Sequence, residues 1–415
     1  MRFSVEQMIN LPGMKVLNCH EIEGIGLIIE IEKMAKSCTC RKCGYQTSSI
    51  HQNHWRIVQD LPISDRQVQL KINRRQFRCK KCQKIFSEEL DFIEKNRGYT
   101  KRLAADIIKQ VLDSNIRSVA LRNDLTDEEI ESMLNAQAIL IESIDFARVK
   151  RIGIDEIALV KGQGNYLAII VDLDTNKPIE ILRSALRSSA SLSRRSEELR
   201  KVFEGWGYAV LEQIHEVSID LWNPYKNLVE ELMPNVDVTA DRFHVMKQIT
   251  DELDTARKSE KRAAEKILNK PEKERKLTGI TKSKYSLLKN EKDLTEQQKE
   301  KLKSVLEVSP QLSKMHALKE EFRYIFETKY SWGEGVLKLL DWMHNAMSFF
   351  PKSIGTIQRW FGEIVGYFDN RTTSGVVEGI NNKLKLIKRL GYGFRNFENF
   401  KLRSLLTWHF GINYP

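Results

Sequence analysis

The chain has 415 residues, 41% hydrophobic and 30% charged, the balance of a folded protein of two to four domains rather than a disordered one. Its formal charge of +11 and pI of about 9.2 favour a polyanionic partner, nucleic acid above all, bound through release of phosphate counterions. Met1 to Val16 holds no apolar run behind a basic start, and nowhere do roughly 18 apolar residues run together. Neither export nor membrane insertion is therefore expected, and a cytoplasmic location is.

Five of the six cysteines fall between Cys38 and Cys82, in a segment rich in Lys and Arg, which in a reducing compartment points to metal ligands more than to disulfides. Cys40 and Cys43 form one C-x-x-C pair, and Cys79 and Cys82 form a second after a strand-like stretch. Two such turns make a four-thiolate structural Zn²⁺ site, with Gly44 supplying backbone freedom for the first. Cys38 could replace Cys40 as a ligand, and a metal-free cluster or redox pair is the alternative. Around the second pair, Arg74, Arg75, Lys80 and Lys81 surround Phe77, a combination suited to phosphates or simply to solvent.

From Thr100 the period becomes helical. Leu103, Ile107, Ile108 and Val111 recur at three- and four-residue spacing, and a second pattern runs through Val119, Leu121, Leu125, Ile130 and Leu134. Thr126, followed by Asp127, Glu128 and Glu129, reads as an N-cap with acids in the first turn. Short helices joined by a tight turn fit a helix-turn-helix, although any small helical bundle shows the same signs.

Near Val149 the period shifts to two. Lys150 to Val160, Tyr166 to Asp174 and Pro178 to Leu182 read as a three-stranded meander. A charged helix (Arg194 to Gly205), a strand (Glu216 to Leu221), a helix (Asn223 to Met233), a strand (Val236 to Ala240) and a helix entered through Asp241 follow. The order β-β-β-α-β-α-β-α is that of a ribonuclease-H-like core. Asp155 interrupts an apolar strand and Asp220 ends another. An unpaired carboxylate in a buried strand is costly, and a divalent cation is a partner that also supplies chemistry. Two such carboxylates with a third acid from a helix could hold two Mg²⁺ (or Mn²⁺) ions about 4 Å apart for attack on a phosphodiester. For any single Asp a solvent-facing strand end is the simpler account. Glu156 points to the opposite strand face and is the poorer candidate.

The blocks Ile154 to Ile157, Val217 to Asp220, Asp241-Arg-Phe-His-Val245 and Ser374 to Lys385 occur in an order that resembles the ISL3 family of insertion-sequence transposases. The resemblance covers nearly the whole chain, including paired cysteines, helix-turn-helix and the tail Gly391 to Phe397. It implies a DDE enzyme in which Asp155 is the first acid, Asp220 the second and Glu378 the third. Asp241 competes with Asp220 as the second acid, and His244 completes a D-x-x-H pattern implied to assist at the site. The resemblance further implies binding of double-stranded DNA at terminal inverted repeats, transfer to target DNA, and at least a homodimer to join two ends.

More than a hundred residues separate Asp241 from Glu378, too many for a connection inside a compact core, so an inserted domain is expected. Arg257 to Lys303 is dense in Lys and Glu, while Met315 to Phe361 carries the Leu, Trp and Phe for a helical core. After Arg371 to Gly375 a helix should carry Glu378 on one face with Asn381 and Asn382, followed by the basic stripe Lys383, Lys385, Lys388 and Arg389, a DNA track beside the acids. The expected plan is thus a zinc-binding domain (1–95), a helix-turn-helix-like domain (96–147), and a ribonuclease-H-like α/β core (148–256 and 366–415) split by an all-helical insertion (257–365). A DNA-binding regulator without catalysis, and a metal-dependent nuclease without strand transfer, remain rival readings. No Gly-rich P-loop suggests an ATP-driven step.

Overall fold

The computed structural model describes residues 4–141, 146–158, 166–184, 189–371, 375–391 and 396–409. The chain divides into two compact units, Met1–Glu142 with Ile387–Pro415, and Ser143–Leu386.

The first unit is built on strands β1 (Met14–Ile22), β2 (Gly26–Lys33), β3 (Trp55–Ile63) and β4 (Arg66–Asn73), in the order β1-β2-β4-β3. Residues Ile29, Ile31, Val58, Val68, Leu70 and Ile72 are fully buried and alternate with more exposed neighbours, the period-two pattern of a sheet covered on one face. Gly26 has φ +107°, and a Cβ there would lie 2.3 Å from the Gln67 carbonyl oxygen, so the close approach of β2 to β4 requires glycine. This sheet is the larger part of a region that the cysteine pattern alone marks only as zinc-binding.

Three helices follow: α1 (Lys101–Asp113), α2 (Ile116–Asn123) and α3 (Asp127–Ile141). Thr100 caps α1 by accepting from Leu103 N. Thr126 accepts from Glu129 N while Glu129 accepts from Thr126 N, a capping box that fixes the start of α3. The second apolar pattern is therefore two helices, broken where Asp124 takes a left-handed conformation at φ 53°. Leu121 corrects the periodicity, since it is 70% exposed. Asp60 on β3, fully buried, accepts from Thr100 Oγ1 and Arg102 Nε at 2.7 and 2.8 Å, joining sheet to helix through a charge-assisted pair.

In the second unit β5 (Arg151–Ala158), β6 (Tyr166–Asp172) and β7 (Lys177–Ser184) form the antiparallel meander. After α4 (Ser189–Trp206) come β8 (Glu216–Ile219), α5 (Asn223–Leu232) and β9 (Asp237–Ala240). The sheet order is β7-β6-β5-β8-β9, with β8 parallel to both β5 and β9. This mixed sheet, antiparallel at one side and parallel at the other, is the ribonuclease-H-like arrangement. β6 is buried from Leu167 to Asp172, so it reads as a continuous apolar run instead of alternating.

From α6 (Arg242–Glu265) to Asn370 every described element is helical. Its core centres on α7 (Pro310–Glu327) and α8 (Trp332–Ala346), where Phe322 meets Trp342 at a centroid distance of 4.7 Å and Phe326 stacks on Phe368 at 5.2 Å. These apolar residues merge with Ile152, Ile154, Val217 and Ile219 of the sheet into one continuous core. The helix α9 (Gly375–Leu390) then returns to the sheet, and α10 (Phe397–His409) packs on α1 and α3 of the first unit.

Candidate active site

Strand register sets the site. Ile154 pairs with Ile219, and Ile219 pairs with Ala240. The next residue on each strand, Asp155, Asp220 and Asp241, therefore emerges at one level where the parallel pairing stops. Asp155 is 8% exposed; its Oδ1 accepts from Glu156 N at 2.6 Å, and its Oδ2 accepts from Asn381 Nδ2 on α9. Glu156, on the other face as alternation requires, accepts from Tyr225 OH at 2.8 Å.

Asp241 plays a different part from Asp220. Its carboxylate accepts from Phe243 N at 2.8 Å and caps α6, which brings His244 in the first helical turn over the aspartates. His244 Nε2 stands 2.8 Å from Asp220 Oδ1, 3.9 Å from Asp155 Oδ1 and 3.8 Å from Asp241 Oδ2. The sequence left Asp220 and Asp241 in competition; the described cluster brings together Asp155, Asp220 and His244, whose ligand atoms lie within 4.8 Å of one another.

Electrostatics fit a cation at this place. Burial, reinforced by the neighbouring Asp155 and Asp241 charges, pushes the Asp220 carboxyl up to about 6 against the opposing pull of His244. Burial works against a charged imidazole at His244, yet the Asp220 carboxylate close against it, with Asp241 and Asp155 beyond, raises its pKa. Asp220 Oδ1 is buried and accepts no well-directed hydrogen bond among the described residues, the imidazole being close to it but off line. A buried, unsatisfied carboxylate oxygen facing a second carboxylate is a donor set for a hard divalent ion, whose oxygen ligands sit no more than about 4–5 Å apart. The helix α9 carries Glu378 one turn before Asn381, and residues three apart share a helix face. The Glu378 side chain itself lies outside the described residues.

Cys40, Cys43, Cys79 and Cys82 converge as a second cluster. Sγ distances of 3.6 Å (Cys40 to Cys82) and 3.5 Å (Cys43 to Cys79) are far beyond a disulfide and near the roughly 3.8 Å edge of a tetrahedron with Zn–S of about 2.3 Å. The two knuckles repeat one geometry: Gly44 N donates to Cys40 O at 2.8 Å, and Gln83 N donates to Cys79 O at 2.9 Å. Gly44 and Gln83 both have positive φ, at 69° and 58°. Donation from Cys82 N pulls the Cys79 thiol down to about 7, which favours the ligating thiolate. Cys38 is outside this cluster, and burial raises its pKa.

The basic residues divide. Lys80 and Lys81 are exposed on the second knuckle and Arg74 is half-buried. Arg75 departs from its expected phosphate-facing place: it is 7% exposed, its guanidinium bound to Glu88 at 2.8 Å and to the Ala35 carbonyl at 2.7 Å. Phe77 is fully buried behind it. On α9, Lys383, Lys385 and Arg389 are exposed and Lys388 is half-buried, while Ile380, Asn381 and Leu384 face inward. Asn382 is exposed and so does not join Asn381. The role of Asn381 was missed from sequence; its only trace there is the three-residue spacing from Glu378.

Comparison with known proteins gives three family matches. The ISL3-type DDE family profile, described as a transposase, matches residues 152–404; the helix-turn-helix domain of transposase family ISL3 matches 88–138; and the zinc-finger of transposases IS204/IS1001/IS1096/IS1165 matches 36–82. Among curated proteins, the chain is 26% identical over 402 residues to a transposase for insertion sequence element IS1001 of Bordetella parapertussis, covering 94% of each chain. It is 29% identical over 282 residues to a transposase for insertion sequence element IS1557 from two strains of Mycobacterium tuberculosis, covering 63% of this chain and 61% of theirs.

Proposed function

The chain belongs to the ISL3 family of DDE transposases, and from that premise we propose that Asp155, Asp220 and Glu378 hold the catalytic Mg²⁺ or Mn²⁺ for cutting and joining the ends of an insertion sequence. The observation that carries this reading is the level emergence of Asp155 and Asp220 on adjacent parallel strands, with α9 bound to Asp155 through Asn381. Such ions would polarise the scissile phosphate and lower the pKa of an attacking hydroxyl.

The protein's own groups supply position and charge. Asp155 is held on β5 by a donor at each oxygen; Asp220 contributes a desolvated carboxylate; His244 balances the charge on Asp220 and lies where it can exchange a proton with it. Asp241 is assigned to building the turn that places His244. Glu378 completes the set from the first turns of α9. The zinc-bearing region and helices α1 to α3 are assigned to terminal inverted repeats, with Arg74, Lys80 and Lys81 on phosphates. Lys383, Lys385, Lys388 and Arg389 are assigned to DNA near the cut. Arg75, turned inward, is left out of this surface. Both reactions are direct phosphoryl transfers, hydrolysis at the element's end and then attack of the freed 3′-hydroxyl on target DNA, in an assembly of at least two copies that joins two ends. No described helix is long and apolar enough to cross a membrane.

The test uses an end duplex carrying the inverted repeat, target DNA and Mg²⁺. Asp155→Ala, Asp220→Ala and Glu378→Ala should each lower cleavage and joining by at least about a hundredfold, with Asp241→Ala milder. Loss confined to Asp241→Ala, with Asp220→Ala still active and both proteins folded, would reverse the assignment. Cleavage without joined product would favour a nuclease, and binding alone a regulator.

A further inference from the structure

Asn381 sits on the inward face of α9 between the buried Ile380 and Leu384. It is itself 8% exposed, the polar member of an otherwise apolar surface. Its Nδ2 donates to Asp155 Oδ2 across 226 residues of sequence. A carboxylate can only accept, so the nitrogen of the amide must face Asp155 and the orientation of the group follows from chemistry. Asp155 Oδ1 is meanwhile held by Glu156 N. The carboxylate is thus pinned at both oxygens from two directions, leaving one lone pair on each for a further partner.

The other end of the amide is unaccounted for. Asn381 Oδ1 is buried and has no hydrogen-bond donor among the described residues. One carbon separates it from the nitrogen on Asp155, so this orphaned acceptor stands close to the Asp155 carboxylate. An ordinary helix tether would need only the nitrogen, and a buried amide oxygen without a donor is costly to keep.

We propose that Asn381 is a positioning residue of the cation site: its nitrogen fixes the rotamer of Asp155, and its oxygen accepts from a water in the shell of the divalent ion that Asp155 binds. The inference rests on reading Asp155 and Asp220 as ion ligands. It also ties α9, the helix that carries Glu378 three residues earlier in sequence, to the strand that carries Asp155.

Binding of Mn²⁺ to the full-length protein by titration calorimetry, beside thermal melts in chelator, tests it. Asn381→Ala should weaken Mn²⁺ by about tenfold to a hundredfold, the range for partners that orient a ligand, and should lower the cleavage rate at saturating end duplex while leaving duplex affinity unchanged. Asn381→Gln keeps both the donor and the acceptor with one methylene of extra reach, so it should recover part of the Mn²⁺ affinity that Asn381→Ala loses. Unaltered Mn²⁺ affinity in Asn381→Ala overturns the proposal, and so does Asn381→Gln binding as weakly as Asn381→Ala. Should Asn381→Ala fail to fold, Asn381→Leu, which fills the same apolar helix face without a donor or an acceptor, takes its place. Asp155→Ala is the control for the premise: if it binds Mn²⁺ normally, the reading of the ion site has failed rather than the role of Asn381.

Discussion

Asp220 carries an energetic cost whose sign can be worked out. Its folded pKa of about 6 lies above the ordinary 3.8, so between those values the folded state keeps a proton that the unfolded chain has lost. Stability therefore falls as pH rises from about 4 to 6, and the penalty is complete above that. His244, with its pKa raised from 6.5, contributes stability that is fully present below 6.5 and is lost as pH climbs past its folded value. Both groups make the second unit firmer at pH 6 than at pH 8. In chelator, Asp220→Asn should raise the melting temperature at pH 8, by the equivalent of about 1–3 kcal/mol, and flatten the slope between pH 5 and 8 while abolishing cleavage. A slope unchanged by the substitution would refute this account. Asp155 was legible in sequence because a charge inside an apolar strand is conspicuous. Asp220 and Asp241 could not be separated there, because both end strands and neither register nor the capping bond to Phe243 is written in the local pattern.

At the level of elements, periodicity was most informative where one face is buried and least where packing reuses both faces. The helical insertion and its apolar half were legible from Met315 to Phe361, as was the capping box at Thr126. Gly335 was not, since an interior helix glycine looks merely unfavourable. In the fold its missing side chain admits Phe368, and a Cβ would lie 2.6 Å from that ring. Because Phe368 is itself stacked on Phe326, the ring has little room to yield. Gly335→Ala should gain helix propensity yet lose about 1–3 kcal/mol overall through overpacking, read by denaturant unfolding of the second unit; a stabilised variant would show that the ring moves freely. The second zinc knuckle was likewise legible from its cysteines but not from Gln83, which takes the left-handed position that Gly44 fills in the first. Arg75 misleads for a physical reason: a cation beside other cations looks solvent-facing until Glu88, thirteen residues on, is seen to fold over it.

On the scale of the molecule, adjacency in sequence groups residues 366–415 around Glu378, whereas the partner of a terminal helix is set by a surface that its own periodicity does not name. The fold seats α10 on α1 and α3. Arg403, 2% exposed, donates to the Leu112 carbonyl at 3.3 Å and to that of Ser114, so a guanidinium nearly three hundred residues downstream satisfies the carbonyl end of α1, where positive charge is favoured. Burial lowers its pKa to about 10, and it stays charged. Arg403→Ala should cost about 2–4 kcal/mol by leaving those carbonyls unpaired, seen as faster hydrogen exchange in the last turn of α1; unchanged protection there would count against the contact. Asn399 adds a bond to Glu131 of α3 at 3.0 Å. The discontinuous first unit also sets a clock on biosynthesis. Residues 1–142 are made before α10, and at about 5–20 residues per second that closing helix arrives on the order of tens of seconds later. A nascent or truncated chain that stops short of α10 holds the same cysteines and helices without the helix that seals them, so full stability in this unit comes only once residues 397–409 have been made.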